Sequence, residues 1–351
     1  MPTQLDDYRL LGRAGLRVSP LTLGAMTFGV QGGTWGSSRE DAAAMVDLYV
    51  GKGGNFIDTA DFYGMGGSEE WLGAMIAGRR DPLVISTKYS LTTRPGDPNA
   101  CGNHRKNMVR SVEDSLGRLG TDYIDLLYLH MWDFRTPVDE ILRAFDDLVR
   151  AGKVLYIGLS DTPAWQASRM QAIAELRGWS QFCGLQISYS LTERTVEREM
   201  IPMAREMGMG VCPWSPLGGG VLSGKYTRAD LTAEIDYGSR KGQNVLTGRL
   251  SEHALDVAEV VAAVAHELGC TSAQVALAWT LLNPATVSPV MGVRTLAQLE
   301  DNLGALEVTL ASEHVAMLDA VSAVEPVFPI SIVRGAAESF MMGGVKVEER
   351  G

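Results

Sequence analysis

The chain has 351 residues but is short of cysteine and histidine, with four of the first and five of the second. Cys101, Cys183, Cys212 and Cys270 match neither a zinc-site spacing nor a CxxC redox pair. So few thiols in so long a chain exclude a disulfide framework and suit a reducing compartment. Cys183 and Cys212 fall in apolar runs and read as buried, reduced thiols. Positive charge is also in deficit. Against 42 Asp and Glu stand only 31 Lys and Arg, a formal net charge of −11. That balance lacks the basic footprint on which nucleic-acid binding depends, and it fits an anionic membrane surface no better. No apolar run reaches the ~18 residues that span a bilayer. Met1–Leu10 has neither the basic nor the apolar region of a secretory signal. The expectation is a soluble, cytoplasmic protein that holds any anionic ligand by local donors.

What the chain does have is apolar bulk, 46% of its residues, and a repeated alternation. Short β-rich runs are followed by longer runs of helical period. Strands are predicted at Leu21–Ala25, Asn55–Asp58, Val84–Lys88, Ile124–His130, Val154–Ser160, Gly184–Ser188, Gly210–Ser215 and Val287–Gly292. Helix signals lie between them. A capping box is expected at Ser37-Ser38-Arg39-Glu40, its helix ending at Gly51–Gly54. Thr136-Pro137 and Thr162-Pro163 each predict a cap and a first-turn proline, before Val138–Ala151 and Ala164–Arg177. Asn103–Arg118 and Thr195–Met207 complete the set.

Eight βα units with near-continuous apolar strands predict an α/β fold, a (β/α)8 TIM barrel, as one domain over residues 1–351. An open doubly wound sheet would carry G-x-G-x-x-G after its first strand, where this chain has Thr27-Phe28-Gly29. Three stretches fall outside the repeat. Residues 1–20 contain a hairpin, Tyr8–Ser19, expected at the barrel floor. Residues 216–250 form a long loop rich in Gly and charge, expected to cover a ligand at the active face. Residues 326–351 are a tail of unassigned role.

Active sites in such barrels form where strands run out into βα loops. Asp58, Lys88 and His130 each end a predicted strand, and Tyr63 follows the second within five residues. A buried acid, phenol, amine and imidazole are each costly alone but form a unit in which charges pair and a proton can move. Asp58 is the natural counter-ion of Lys88. An ammonium fixed beside a phenol predicts a lowered pKa for Tyr63, which makes it a general acid for an oxygen. Lys88 could alternatively form a Schiff base, although pairing with Asp58 would keep it protonated and a poor nucleophile.

The run Gly54-Asn55-Phe56-Ile57-Asp58-Thr59-Ala60-Asp61-Phe62-Tyr63-Gly64, with Ser86-Thr87-Lys88 and Asp125-Leu126-Leu127-Tyr128-Leu129-His130, resembles the aldo-keto reductases. Within them it is most similar to the branch of bacterial aryl-alcohol-dehydrogenase-like enzymes and potassium-channel β subunits. The resemblance runs from about Tyr8 to about Leu318. It implies a barrel, a catalytic tetrad of Asp58, Tyr63, Lys88 and His130, and NADPH as the source of hydride for an aldehyde or ketone. It also implies cofactor residues. Ser160 and Gln186 would hold the carboxamide and Trp214 would stack on the nicotinamide. Asp161 stands where the family usually has Asn. Ser215, Leu217, Gly218 and Gly220 match the loop over the pyrophosphate, with Lys225 nearby. Gly292 and Arg294 open a helix where a 2′-phosphate would sit, so NADP is favoured while NAD is possible. Gln298, Asp301 and Asn302 match residues that meet the adenosine. Met26, Trp35 and Trp132 are the expected walls of an apolar substrate pocket. The channel subunits in this branch add a second reading, a cofactor-binding regulatory protein. An oligomer is possible; no partner beyond a small carbonyl compound is expected.

Overall fold

The computed structural model describes residues 2–30, 36–232, 236–336 and 340–345. Trp35 and part of the 326–351 tail therefore lie outside the described residues.

A two-stranded antiparallel hairpin, β1 (Arg9–Leu10) and β2 (Arg17–Val18), comes first. The barrel strands follow: β3 (Thr22–Gly24), β4 (Phe56–Asp58), β5 (Val84–Tyr89), β6 (Ile124–Leu129), β7 (Val154–Ser160), β8 (Phe182–Ser188), β9 (Gly210–Trp214) and β10 (Val290–Gly292). They pair in parallel in chain order, and β10 closes the ring between β9 and β3. The predicted (β/α)8 barrel is therefore the observed fold. β7 matches its expected bounds, and the others differ by one to three residues at an end.

The principal helices between strands are α1 (Arg39–Gly51), α2 (Gly67–Ile76), α3 (Arg105–Leu119), α4 (Val138–Arg150), α5 (Ala164–Arg177) and α6 (Met200–Glu206). Between β9 and β10 come α7 (Ala229–Thr232), α8 (Arg240–Leu246), α9 (Glu252–Leu268) and α10 (Ser272–Leu282). After the barrel closes, α11 (Leu296–Leu303), α12 (Ser312–Val321) and α13 (Ile330–Ala336) follow. No single helix among the described residues is long and apolar enough to cross a membrane.

Several helix starts differ from expectation for local reasons. α1 is capped by Ser38, whose side chain accepts from the Asp41 amide, one residue later than the predicted box. In α4 and α5 the prolines Pro137 and Pro163 themselves occupy the cap position, so neither helix has a side-chain cap. The threonines bond elsewhere: Thr136 donates to Asp133 at 2.6 Å and Thr162 to the Ser160 carbonyl at 2.9 Å. The helix expected over Thr195–Met207 is split into a 3-10 turn, Thr195–Glu197, and α6.

Two packing features position the site. The barrel interior is filled by Tyr128, fully buried, with Phe56, Val84, Leu126, Cys183, Cys212 and Val290. Tyr128 fits because Gly158 and Gly184 face it; a Cβ at Gly158 would come within 2.4 Å of the ring. The hairpin closes the floor, as its sequence predicted. Leu11 is fully buried in that same cluster. Gly12, at φ +57°, lies so near the Cys183 and Gly208 carbonyls that a Cβ would sit 2.5 Å from each. With the floor sealed, the carboxyl ends of the strands are left as the open face.

Candidate active site

Asp58 is the last residue of β4, Lys88 is the penultimate residue of β5, and His130 directly follows β6. Tyr63 begins a 3-10 turn, Tyr63–Gly66, in which Gly64 and Met65 take left-handed φ of 59° and 55°. The structure thus gathers all four residues at one mouth. Lys88 Nζ donates to Asp58 Oδ2 at 2.6 Å and to the Thr59 carbonyl at 2.8 Å. The other Asp58 oxygen accepts from Ser86 Oγ at 2.7 Å and from Gln186 Nε2 at 2.9 Å. Lys88 Nζ lies 4.8 Å from the centroid of the Tyr63 ring. The Tyr63 and His130 rings meet edge to face, 5.7 Å apart.

Burial acts first on each titrating group. It would by itself lower Lys88, but the adjoining Asp58 carboxylate overcomes it, and the amine is held above its ordinary value. Lys88 is therefore an ammonium, which removes the lone pair a Schiff base needs. Burial, reinforced by the Lys88 charge, pushes His130 down to about 3, so the imidazole is neutral. The expectation of a lowered Tyr63 pKa is corrected. Burial raises the phenol above its usual value, Lys88 pulls it back, and Asp58 adds to the rise. The sequence shows the neighbouring ammonium but not the depth of the site, and depth wins.

Beside this quartet, Ser160 ends β7, Gln186 lies in β8, and Trp214 ends β9. Gln186, expected to face a carboxamide, spends its amide N–H on Asp58. Asp161 takes φ +36° and accepts from Trp214 Nε1 at 3.0 Å. A carboxylate here fixes the indole, a link that sequence reasoning missed. Burial raises the pKa of Asp161, while the Trp214 bond, Lys88 and Arg249 oppose the rise.

The 216–250 stretch is more structured than a loop: a 3-10 segment, Gly218–Ser223, precedes α7 and α8. Gly218, Gly219 and Gly220 all take positive φ. The Gly219 amide donates to Ser215 Oγ at 2.9 Å, and the Leu217 carbonyl accepts from Gly220. A Cβ at Gly219 would lie 2.3 Å from Asn244 Oδ1, an oxygen that is buried with no partner. Around this turn gather four cations: Lys225, Arg240, Arg249 and Arg294. None has a carboxylate partner among the described residues. Partial burial, then the charges of Arg294 and Arg240, depresses Lys225; burial and then Arg249 depress Arg240. An anion placed among these charges would relieve their mutual repulsion. Lys225 and Arg294 were expected there. Arg240 and Arg249 were not, because only the folding of α8 and its flank brings them in. Arg249 also lies over the Trp214 ring, 5.1 Å from its centroid.

Gly292 ends β10 and Arg294 follows it, ahead of α11. Gln298 accepts from the Arg294 amide at 2.9 Å. Asn302 is buried. The Asp301 carboxylate is committed to Thr271 and Gln274, the residues that cap α10, so its present role is to tie α11 to that helix. Met26 is half-buried just past β3. Trp132 is buried two residues past His130, its ring edge to face with that of Phe134.

The profile of the Aldo/keto reductase family matches residues 20–323. The chain belongs to this family. It is 39% identical over 345 residues to a norsolorinic acid reductase of Emericella nidulans, covering 95% of this chain and 86% of that protein. It is 39% identical over 347 residues to the aldo-keto reductase ausK of Aspergillus calidoustus, covering 95% and 86%. A Saccharomyces cerevisiae protein assigned by name as an aryl-alcohol dehydrogenase is 35% identical over 346 residues, covering 95% and 91%. This aldo-keto reductase is accordingly an oxidoreductase of carbonyl compounds.

Proposed function

We propose that the chain reduces an aryl aldehyde or ketone with NADPH, Tyr63 serving as general acid, and catalyses the reverse alcohol oxidation. The observation that carries this reading is the Lys88 ammonium, fixed by Asp58 at 2.6 Å and set 4.8 Å from the Tyr63 ring. A phenol beside a permanent cation can release its proton to a carbonyl oxygen, because the phenolate left behind is stabilised. Neutral His130 cannot be that acid; it is suited to donate a hydrogen bond that orients the carbonyl oxygen.

The residues present fit a dinucleotide. Three glycines of positive φ and four cations with no carboxylate partner among the described residues suit a pyrophosphate and a further phosphate. Ser215, Leu217, Gly218, Gly220 and Lys225 would hold the pyrophosphate. Gly292, Arg294, Gln298 and Asn302 would hold the adenosine end, with Asp301 steadying the helix they share. Ser160, Asp161, Gln186 and Trp214 would receive the nicotinamide. When bound, the cofactor supplies hydride to the carbonyl carbon. Arg294 and its cationic neighbours favour NADP over NAD. The names of the relatives, norsolorinic acid reductase and aryl-alcohol dehydrogenase, support an aryl substrate. Met26 and Trp35 are proposed as its apolar walls; Trp132, the third expected wall, lines a cavity that none of the tetrad borders.

Fluorescence titration with NADPH and NADH tests the cofactor. A panel of aldehydes and ketones, followed at the nicotinamide absorbance, tests the reaction. Tyr63→Phe is expected to remove turnover while leaving NADPH affinity within about twofold, since the hydroxyl acts on substrate. Residual activity above a few per cent of wild type would remove Tyr63 as the acid.

A further inference from the structure

Outside the strand-end site, the molecule carries a second cavity of about 260 Å³. It lies between the loop after β6 and the N-terminal ends of α4 and α5. Trp132, Phe134, Arg135, Trp165, Gln166 and Arg169 are on its walls; none of the tetrad is.

Three observations mark it as built rather than incidental. The first is strain. Phe134 takes φ +57°, a conformation that bulky side chains rarely adopt, and it holds its ring 72% exposed. The flanking backbone leaves it no relief. Asp133 accepts from the Arg135, Thr136 and Asn103 amides at 2.8, 2.9 and 2.8 Å, and its own amide donates to Asn103. The second is a pair of unsatisfied polar groups. Gln166 and Trp132 are 7% and 6% exposed, yet Gln166 Oε1 and Trp132 Nε1 have no partner. Buried polar atoms left so are uncommon. Trp132 Nε1 is a donor that an anion would satisfy, whereas Gln166 Oε1 is an acceptor that calls for water. The third is charge. Arg135 and Arg169 have no carboxylate partner among the described residues, against one wall carboxylate, Asp139. The first turns of α4 and α5 lack side-chain caps; the Gln166 amide donates to the Pro163 carbonyl, but the Val138, Asp139, Ala164 and Trp165 amides have no acceptor among the described residues and are open to an anion.

Exposed aromatic faces, Phe134 and Trp165 (61% exposed), sit beside these cations. The volume falls below the roughly 300 Å³ at which drug-sized pockets begin, so one ring fits. We propose that this cavity binds a single-ring aromatic carboxylate, its ring against Phe134 and Trp165 and its carboxylate toward Arg169 and the open helix ends. The inference does not depend on the proposed catalytic reading.

Sodium benzoate is the probe, in calorimetric titration of the full chain. A dissociation constant on the order of 1 mM is expected for so small a ligand. Arg169→Gln is expected to weaken it about tenfold, as loss of a charge-assisted bond does. Trp165→Ala is expected to weaken it about fivefold, and cyclohexanecarboxylate to bind more weakly than benzoate. Both side chains are exposed, so both variants should fold, and carbonyl turnover without benzoate should be unchanged. No binding at 20-fold that concentration would overturn the proposal. So would equal binding by wild type and both variants, equal binding of the saturated acid, or displacement of benzoate by the aldehyde substrate. The last result would assign the benzoate to the strand-end site.

Discussion

Replacing Asp61 by Asn should stabilise the protein, and by an amount that depends on pH. Asp61 is 1% exposed, just ahead of the Tyr63 turn, and neither carboxylate oxygen has a hydrogen-bond partner among the described residues. Nearby Glu69 is itself occupied, with Arg118 at 2.7 Å and Thr87 at 2.6 Å. Burial, then the Glu69 charge, pushes the Asp61 carboxyl up from 3.8 to about 8, and Arg118 opposes the rise only in part. In the folded state the group is therefore protonated at pH 7, whereas in the unfolded chain it is ionised. Because the folded value is raised, the group's contribution is fully present below about 4 and is lost as pH rises toward about 8. The loss runs at ~1.4 kcal/mol per pH unit, so by pH 7 it amounts to about 4 kcal/mol as an upper bound. Asn has the same shape and no proton to lose. Its amide can donate toward Glu69, but an imperfect fit returns part of the gain, leaving roughly 2 kcal/mol at pH 7. Urea denaturation of both proteins at several pH values from 5 to 9 measures this. The difference between them should widen with pH and level off above about 8. A difference independent of pH, or Asp61→Asn weaker throughout, would refute the assignment of a buried neutral acid.

Three further outcomes follow from the geometry. The phenol of Tyr63 lies above its ordinary value, so carbonyl reduction should hold steady across neutral pH and fall only in strong alkali. Alcohol oxidation, which needs the phenolate, should rise with pH over the same range; initial rates in both directions check this. Lys88→Met strands a buried Asp58 carboxylate and should cost about 3–5 kcal/mol in chemical denaturation, along with turnover. Gly158→Ala drives a methyl group to within 2.4 Å of the Tyr128 ring and should destabilise the barrel by about 1–3 kcal/mol, read from the urea midpoint.

The barrel was legible because parallel strands covered on both faces must be apolar along their length. Polar residues at their ends, Asp58, Lys88, Ser160 and Trp214, stood out against that background. The hairpin floor was legible from Gly12 and Gly15 between apolar residues. What stayed hidden depends on depth or on distant chain. The direction of the Tyr63 shift is set by how far the site sinks into the protein, which no local pattern encodes. Asp61 lies inside a recognisable motif, yet its neutrality arises from burial and from Glu69, eight residues on. Arg240 and Arg249 sit in a stretch read only as charged loop, and they reach Trp214 and Arg294 through the folding of α8. Thr136 and Thr162 carried cap signals, but the prolines after them took the cap positions.

The hairpin packs across the amino ends of the strands and side chains fill the interior, so nothing passes through the barrel. The two ends of the molecule are thereby divided in labour, one structural and one open to a ligand. A tag fused ahead of Tyr8 would hang from the closed end, away from the strand-end residues.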